Sequence, residues 1–380
     1  MPSRPVTVRI LHPESDPDAG PLERWVTNAR AELAERHRVA FIGAGAADVA
    51  IVSGPPDDTS FGARLRAIAR TGRPAGLVIL GSGAIPLATR RDYADLVAVA
   101  GSEGRRALAN NRYSADVVAI ACAEALFEVP DLPTDNALPR WLEEVGGFDV
   151  TDLRRRWRLA LDIDGPLELV LLGRRDGPAG LDLRPLRDRL AAVRSVAMDR
   201  RAELLACGRV SVATLSWLER RVPARVRAIV EERGLRASAR LAMAADDGHD
   251  LTARRSVAAA RRVTAVEPRP PASVLAMLLE RDGPDAIGRV LARLGDAAIV
   301  DTRVLLAHRL GVDEAAWPAA EDRFASDLLL ADRVRDPWLR ALTAAAAGAP
   351  IPVLLGGHSL VGPGIRLLLG RDAIANPAWT

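Results

Sequence analysis

A layered α/β protein in two domains is the architecture this sequence predicts, and three observations carry the prediction. The chain has 380 residues, more than one ordinary core organises. Apolar residues make up 49% and charged residues 27%, the balance of a globular chain and not a disordered one. Short apolar runs alternate with segments of helical period, first in one half of the chain and then in the other.

The elements follow in order. "VTVRIL" (6–11) reads as a strand, and a helix follows a polar loop at "PLERWVTNARAELAERHRVAFIGA". "ADVAIVSG" (47–54) is the next strand, "SFGARLRAIART" the next helix, and "GLVILG" (76–81) a continuous apolar run suited to a buried parallel strand. "TRRDYADLVAVAG" is a helix with Thr89 as its cap and Gly101 at its end. "ADVVAIAC" and "WRLALDI" supply two more strands, and "LPTDNALPRWLEEVGG" a helix started by Thr134 or Asp135. Gly43 and Gly45 of "GAGAAD" follow a helix and precede a strand. They end the helix and make the turn; a dinucleotide fingerprint would need the opposite order.

"GRRDGPAG" (173–180) reads as a linker, so the expected domains are 1–175 and 201–380, with 176–200 as linker and connecting helix. Beyond it "ELLACGRVS", "VATLSWLERRV" and "RVRAIVEERG" repeat the strand–helix–strand order of a Rossmann-like domain. Residues 245–271 have no clean period and end in prolines, which predicts a mobile excursion.

Charge and composition exclude several function classes. The net charge is +3, every basic residue is arginine, and aromatics are 4%, too few to stack on bases; nucleic acid is not an expected partner. The N-terminus lacks an apolar signal core, and no stretch approaches the ~20 apolar residues of a membrane span. Cys122 and Cys207 lie far apart in apolar contexts, as buried thiols of a reducing compartment do. A cytoplasmic protein without membrane contact is the expectation, and a homodimer is left open.

The chemistry concentrates in "RWRLALDIDGPLELVLLG" (156–173). If it is a strand, Asp162 and Asp164 share a face about 6–7 Å apart. Two acids at a strand's carboxyl end suit Mg2+ held between protein and phosphates. The competing role for Asp164 is a cap on the helix "PLELVLL". "ALANNRYSADVVAI" (107–120) places Asn110, Asn111, Arg112, Ser114 and Asp116 on one loop, where amides and a guanidinium suit a phosphate, a carboxylate or a base edge. The competing role is an asparagine-held turn.

"LVILGSGAIPLATRRDYADLV" followed by "DIDGPLEL" resembles the nucleotidyltransferases of the molybdenum-cofactor guanylyltransferase type, and more closely the 2-phospholactate guanylyltransferases of deazaflavin-cofactor synthesis. In that superfamily a strand ends in an acid-x-Pro-Leu bend followed by a helix, and a later Asp-x-Asp-x-Pro strand lies beside it. The resemblance covers roughly residues 1–175 and implies a GT-A-like, three-layer nucleotidyltransferase domain. It implies nucleotidyl transfer, of guanylyl or another group, to a small phosphorylated or carboxylated acceptor with magnesium. Asp162 and Asp164 would hold the metal; Ser82, Asn110, Asn111, Arg112, Ser114 and Asp116 would meet nucleotide or acceptor. Two features depart from the pattern: Ala84 stands where the bend acid belongs, and "LHPESDPDAGPLERW" replaces the glycine-rich phosphate loop. They favour the alternative, an inactive ligand-binding or scaffold protein that kept the fold.

In the second half, "PVLLGGHSLVGPG" offers Gly356, Gly357, His358 and Ser359 as a candidate pocket after an apolar strand. It is not a nucleophile elbow, and the five histidines never show zinc spacing.

Overall fold

The structure is a computed structural model and describes residues 4–55, 57, 59–132, 135–233, 235 and 269–370. The chain divides into two compact units, Met1–Asp188 with Gly362–Thr380, and Arg189–Val361. Each is α/β, and among the described residues no helix is long and apolar enough to cross a membrane.

The first unit is built on a six-stranded sheet in the order β2-β1-β3-β5-β4-β6. Its strands are β1 (Val6–Pro13), β2 (Asp48–Gly54), β3 (Gly76–Gly81), β4 (Arg106–Ala109), β5 (Val117–Ala121) and β6 (Asp149–Asp152). β5 runs antiparallel to both neighbours, β3 and β4, and the other pairings are parallel. Alternation along β3 shows how both faces are covered. Val78 and Leu80 join a core with Phe41 of α1 (Pro21–Gly43) and Tyr93, Leu96 and Val97 of α3 (Arg90–Ala100). Leu77 and Ile79 join the opposite core, with Leu65 and Ala69 of α2 (Phe61–Gly72) and Leu138 and Leu142 of α4 (Leu138–Glu144). α3 opens as anticipated, because Asp92 accepts from both the amide and the hydroxyl of Thr89.

Three expectations are corrected here. Residues 156–164 are not a strand: Trp157–Ala160 form a 3-10 turn, and only Asp162 makes a bridge, to Ala84. The burial alternation survives, with Leu159, Leu161 and Ile163 buried, because the segment after the turn is extended and lies against the bend. The unit boundary falls between Asp188 and Arg189, inside α6 (Arg184–Met198); it lies past 173–180 but within the expected linker and connecting helix, 176–200. A helix running through it leaves no glycine or proline signal. Residues 362–370, counted in the second domain by sequence, group with the first unit, where the Arg366 guanidinium lies 5.8 Å from the centre of the Trp157 ring. Of the expected excursion, 245–268 lies outside the described residues, as does Thr134.

The second unit holds a parallel sheet in the order β10-β9-β7-β8, from β7 (Glu203–Gly208), β8 (Arg225–Val230), β9 (Ala297–Asp301) and β10 (Val353–Gly356). β7, β9 and β10 are almost wholly buried and read as apolar runs, whereas β8 forms one edge and is largely exposed. Helix α7 (Val212–Arg221) starts where Ser211 accepts from the Thr214 amide.

Candidate functional site

The carboxyl ends of β1 and β3 meet in register at Leu11 and Gly81. The Ser82 amide then donates to the Leu11 carbonyl (2.8 Å), so the bend after β3 is tied to β1. Ala84 closes a turn onto the Gly81 carbonyl (3.1 Å), and Ile85 takes φ 45°. A β-branched residue in the left-handed region is strained. It is held there by full burial and by its amide's bond to the Leu161 carbonyl (3.1 Å).

That bond belongs to a short antiparallel contact between the bend and the "LDID" segment. The Ile163 amide donates to the Gly83 carbonyl (3.0 Å), and Ala84 bridges Asp162. The contact is close: a Cβ on Gly83 would lie 2.8 Å from Asp162 Oδ1 and 3.1 Å from Arg30 Nε. A side chain at this position would have to displace the Asp162 carboxyl and press on the Ile163 carbonyl. Arg30 reaches in from α1, and its Nε donates to the Ile163 carbonyl (2.8 Å).

Carboxylates crowd around this contact. Burial and the neighbouring Asp164, with which it shares a side-chain hydrogen bond, push Asp162 up to about 7, against the pull of Arg30. Burial and the charges of Asp162, Asp135 and Asp164 push Asp116 well above the usual carboxylate range, although Asn110 pulls the other way. Like charges in a desolvated place hold protons that isolated carboxyls would lose. Beside them His12 Nδ1 and Ser82 Oγ lie 3.0 Å apart. Burial, then Arg30, hold His12 below its ordinary range, which favours the neutral ring.

Behind the bend, His37 is fully buried between Tyr93 Oη and the Ala84 carbonyl, each 2.8 Å from a ring nitrogen. The carbonyl can only accept, so His37 Nε2 donates to it and Nδ1 accepts from Tyr93. Burial lowers His37 to about 4.

The sequence-derived residues separate into groups. Asp162 and Asp164 do face one another, and Gly165, not Asp164, caps the following helix α5 (Pro166–Leu171), without a side-chain cap bond. Ser82 is buried at the bend and faces His12. Asn110 is committed inward: its Nδ2 donates to Asp116 (2.7 Å) and to the Leu159 carbonyl (2.9 Å), and its Oδ1 accepts from the Asp116 and Val117 amides. It fastens the asparagine loop to the segment that carries the aspartates. Asn111 accepts from the Tyr113 amide, a local turn, and Arg112 pairs with Glu143 of α4; Ser114 is half-buried nearby. His12, Arg30 and His37 were not anticipated. Their partners lie at separations of 70, 133 and 47 residues, and no local spacing announces such contacts.

In the second unit Gly356 ends β10, buried, and its carbonyl accepts from Thr302 Oγ1 (3.1 Å). A Cβ on Gly357 would lie 3.6 Å from Arg303 Nε; His358 is exposed and Ser359 buried. Next to them Arg209 forks onto Asp301 (2.6 and 3.1 Å) and Arg303 onto Asp327 (2.5 and 2.6 Å).

The donor set of the first unit can be tested against magnesium. Among the described residues no group of three or more His, Cys, Asp or Glu side chains is arranged to hold a metal ion. An all-protein cage therefore does not fit. Magnesium usually keeps waters and takes one or two carboxylates plus phosphate oxygens, and the Asp162–Asp164 pair fits that pattern. No model of a known protein family matches the chain, and no curated protein matches it either.

Proposed function

We propose that the first unit is a nucleotidyltransferase-like module that binds a nucleoside triphosphate with magnesium. It transfers a nucleotidyl group, guanylyl or another, to a small phosphorylated or carboxylated acceptor. The observation that carries the reading is the backbone contact between the bend after β3 and the Asp162–Asp164 segment. It sets side by side the two motifs on which the resemblance rests.

In this reading Asp162 and Asp164 hold Mg2+, which supplies charge neutralisation at the phosphates and relieves the repulsion within the pair. Arg30, docked on the Ile163 carbonyl, keeps the second motif against the bend and adds positive charge beside it. Ser82 and His12 line the bend, where a neutral imidazole can accept a hydrogen bond from an incoming acceptor hydroxyl. Asn110 acts through Asp116, holding the loop to the Leu159 carbonyl. Asn111, Arg112 and Ser114 lie further along that loop, toward the base or the acceptor. Catalysis in such a site is mostly positioning and charge neutralisation, because an acceptor phosphate is already an adequate nucleophile.

A second reading is a ligand-binding protein without turnover. It is favoured by Ala84, which is 1% exposed and packed in the core with Ile85, Tyr93 and Leu96, where the related pattern would place an acid. Titration calorimetry with nucleoside triphosphates, with and without magnesium, tests both. Magnesium-dependent binding that weakens on the order of 100-fold in Asp162→Asn/Asp164→Asn is expected on either reading. Release of pyrophosphate in the presence of phosphorylated acids separates transfer from binding alone. Absence of any magnesium-dependent binding removes the proposal.

A further inference from the structure

We propose that the second unit binds the phosphate group of a small phosphorylated molecule at the carboxyl edge of its sheet, on the loops that follow β7, β9 and β10. The inference does not rest on the reading of the first unit, since every residue it uses lies in 189–361.

The topology supplies the place. In the order β10-β9-β7-β8, the strand after β7 lies on one side and the strand after β9 on the other. The loops leaving these two adjacent strands diverge, and in open parallel sheets ligands bind in the crevice this creates. The chain sets Gly208-Arg209, Asp301-Thr302-Arg303 and Gly356-Gly357-His358 at this edge. Gly208 has φ 111°, and a Cβ there would lie 2.4 Å from Asp301 Cβ, so only glycine lets the β7 loop close on β9.

The chemistry points to an anion. Arg209, Asp301 and Asp327 are buried and Arg303 nearly so, although bringing each charge out of water costs several kcal/mol and a sheet edge requires none of them. The two carboxylates fork the two guanidiniums and so fix them in place beneath the loops. The cluster sets three guanidiniums, Arg209, Arg303 and Arg323, against three carboxylates, Asp301, Asp327 and Glu314, but it brings two of the guanidiniums together. Arg323 stands close enough to Arg303 for the cations to repel, and its Nε is buried without a hydrogen-bond partner, while Glu314 (3.3 Å) and the more distant charge of Asp327 offset it. His358 stands exposed within electrostatic reach of Asp301. Gly356-Gly357 carries no side chain that would keep a ligand from the backbone. A doubly charged phosphate relieves crowded cations in a way that a single carboxylate does not.

Titration calorimetry on the full chain, with pyrophosphate, inorganic phosphate and glutarate as probes, tests the assignment. Pyrophosphate without magnesium is expected to bind the wild-type protein and Asp162→Asn/Asp164→Asn equally, and about tenfold more weakly to His358→Ala. His358 is exposed, so its removal leaves the fold intact; Arg323→Met, which removes the guanidinium that lies over Trp317 and leaves an apolar side chain in its place, is expected to weaken binding as well. Failure of both phosphate probes to bind overturns the proposal. So does binding unchanged in both second-unit variants, or binding lost in the Asp162/Asp164 variant instead. Glutarate binding as tightly as pyrophosphate overturns the phosphate assignment. Because magnesium-dependent triphosphate binding is read separately, failure here and failure of the transferase reading remain distinguishable.

Discussion

The carboxyl edges of the two sheets handle buried charge in opposite ways. In the first unit Asp116, Asp162 and Asp164 crowd like with like, and burial, reinforced by the neighbouring carboxylates, raises the proton affinity of Asp116 and Asp162. In the second, Asp301 is as deeply buried but is held below the usual carboxylate range by Arg209, with His358 and Arg303 adding to the pull. Burial still pushes Asp327 upward against Arg303, so even this pairing is incompletely balanced. Burial pushes every one of these shifted carboxyls upward; Asp301 alone ends below its ordinary range, because Arg209, His358 and Arg303 all pull on it, whereas the Arg303 fork does not outweigh burial at Asp327. A crowded edge of like charge is relieved only in part from within, by Arg30. A paired edge has its counter-ions built in.

The comparison breaks most visibly through its pairs. Asp301→Ala strands Arg209 in a buried place and is expected to cost about 3–5 kcal/mol in urea denaturation. Replacing both partners, Arg209→Met with Asp301→Leu, is expected to cost much less, because no uncompensated charge is left behind. Equal losses in the two variants would mean that the packing of these residues, and not their charge pairing, holds the edge together.

Next in size is His37, whose two hydrogen bonds hold the bend from behind. His37→Phe leaves the Ala84 carbonyl and Tyr93 hydroxyl without a buried partner and is expected to cost about 2–3 kcal/mol. The folded His37 titrates at about 4, below its ordinary 6.5. Between those values the unfolded chain binds the extra proton, so wild-type stability falls as pH drops from 6.5 toward 4. His37→Gln is expected to flatten that acid limb; a limb of unchanged steepness in Tm against pH would assign it to other groups.

How much of this could be read from residue order follows from the range of each interaction. β3 announces itself as an apolar run because both sheet faces are covered there, while β1 shows as a one-sided alternation with Val6, Val8 and Ile10 buried. β4 and β6 do not: each has four residues, and β6 alternates exposed and half-buried positions like a polar loop. The segment 156–164 misleads because a 3-10 turn followed by extended chain produces the same alternation as a strand. Asp162 and Asp164 are visible as a spacing, since two residues apart in extended chain means one side. Their setting is not visible. Arg30 and His37 come from α1, and the second unit's Arg209 and Asp301 are 92 residues apart, joined only by the pairing of β7 with β9.

The smallest expected effect tests the crowded edge directly. Asp162 titrates near 7 in the fold against 3.8 for an ordinary carboxyl, so between those values the folded chain holds the extra proton. Its contribution is therefore fully present below about 4 and is lost as pH rises through 7. Asp162→Asn cannot ionise, so relative to wild type it should gain stability between pH 5 and pH 8, by on the order of 1–2 kcal/mol. Magnesium should mimic that gain in the wild-type protein. A cation competes with protons for the same oxygens, so its rise in Tm should be larger at pH 8 than at pH 5 and small in Asp162→Asn/Asp164→Asn. Thermal scans at the two pH values, with and without magnesium, read all of this in one series. A gain from Asp162→Asn that is the same at both pH values would mean that the carboxyl is not crowded, and the contrast between the two edges would fail at its first term.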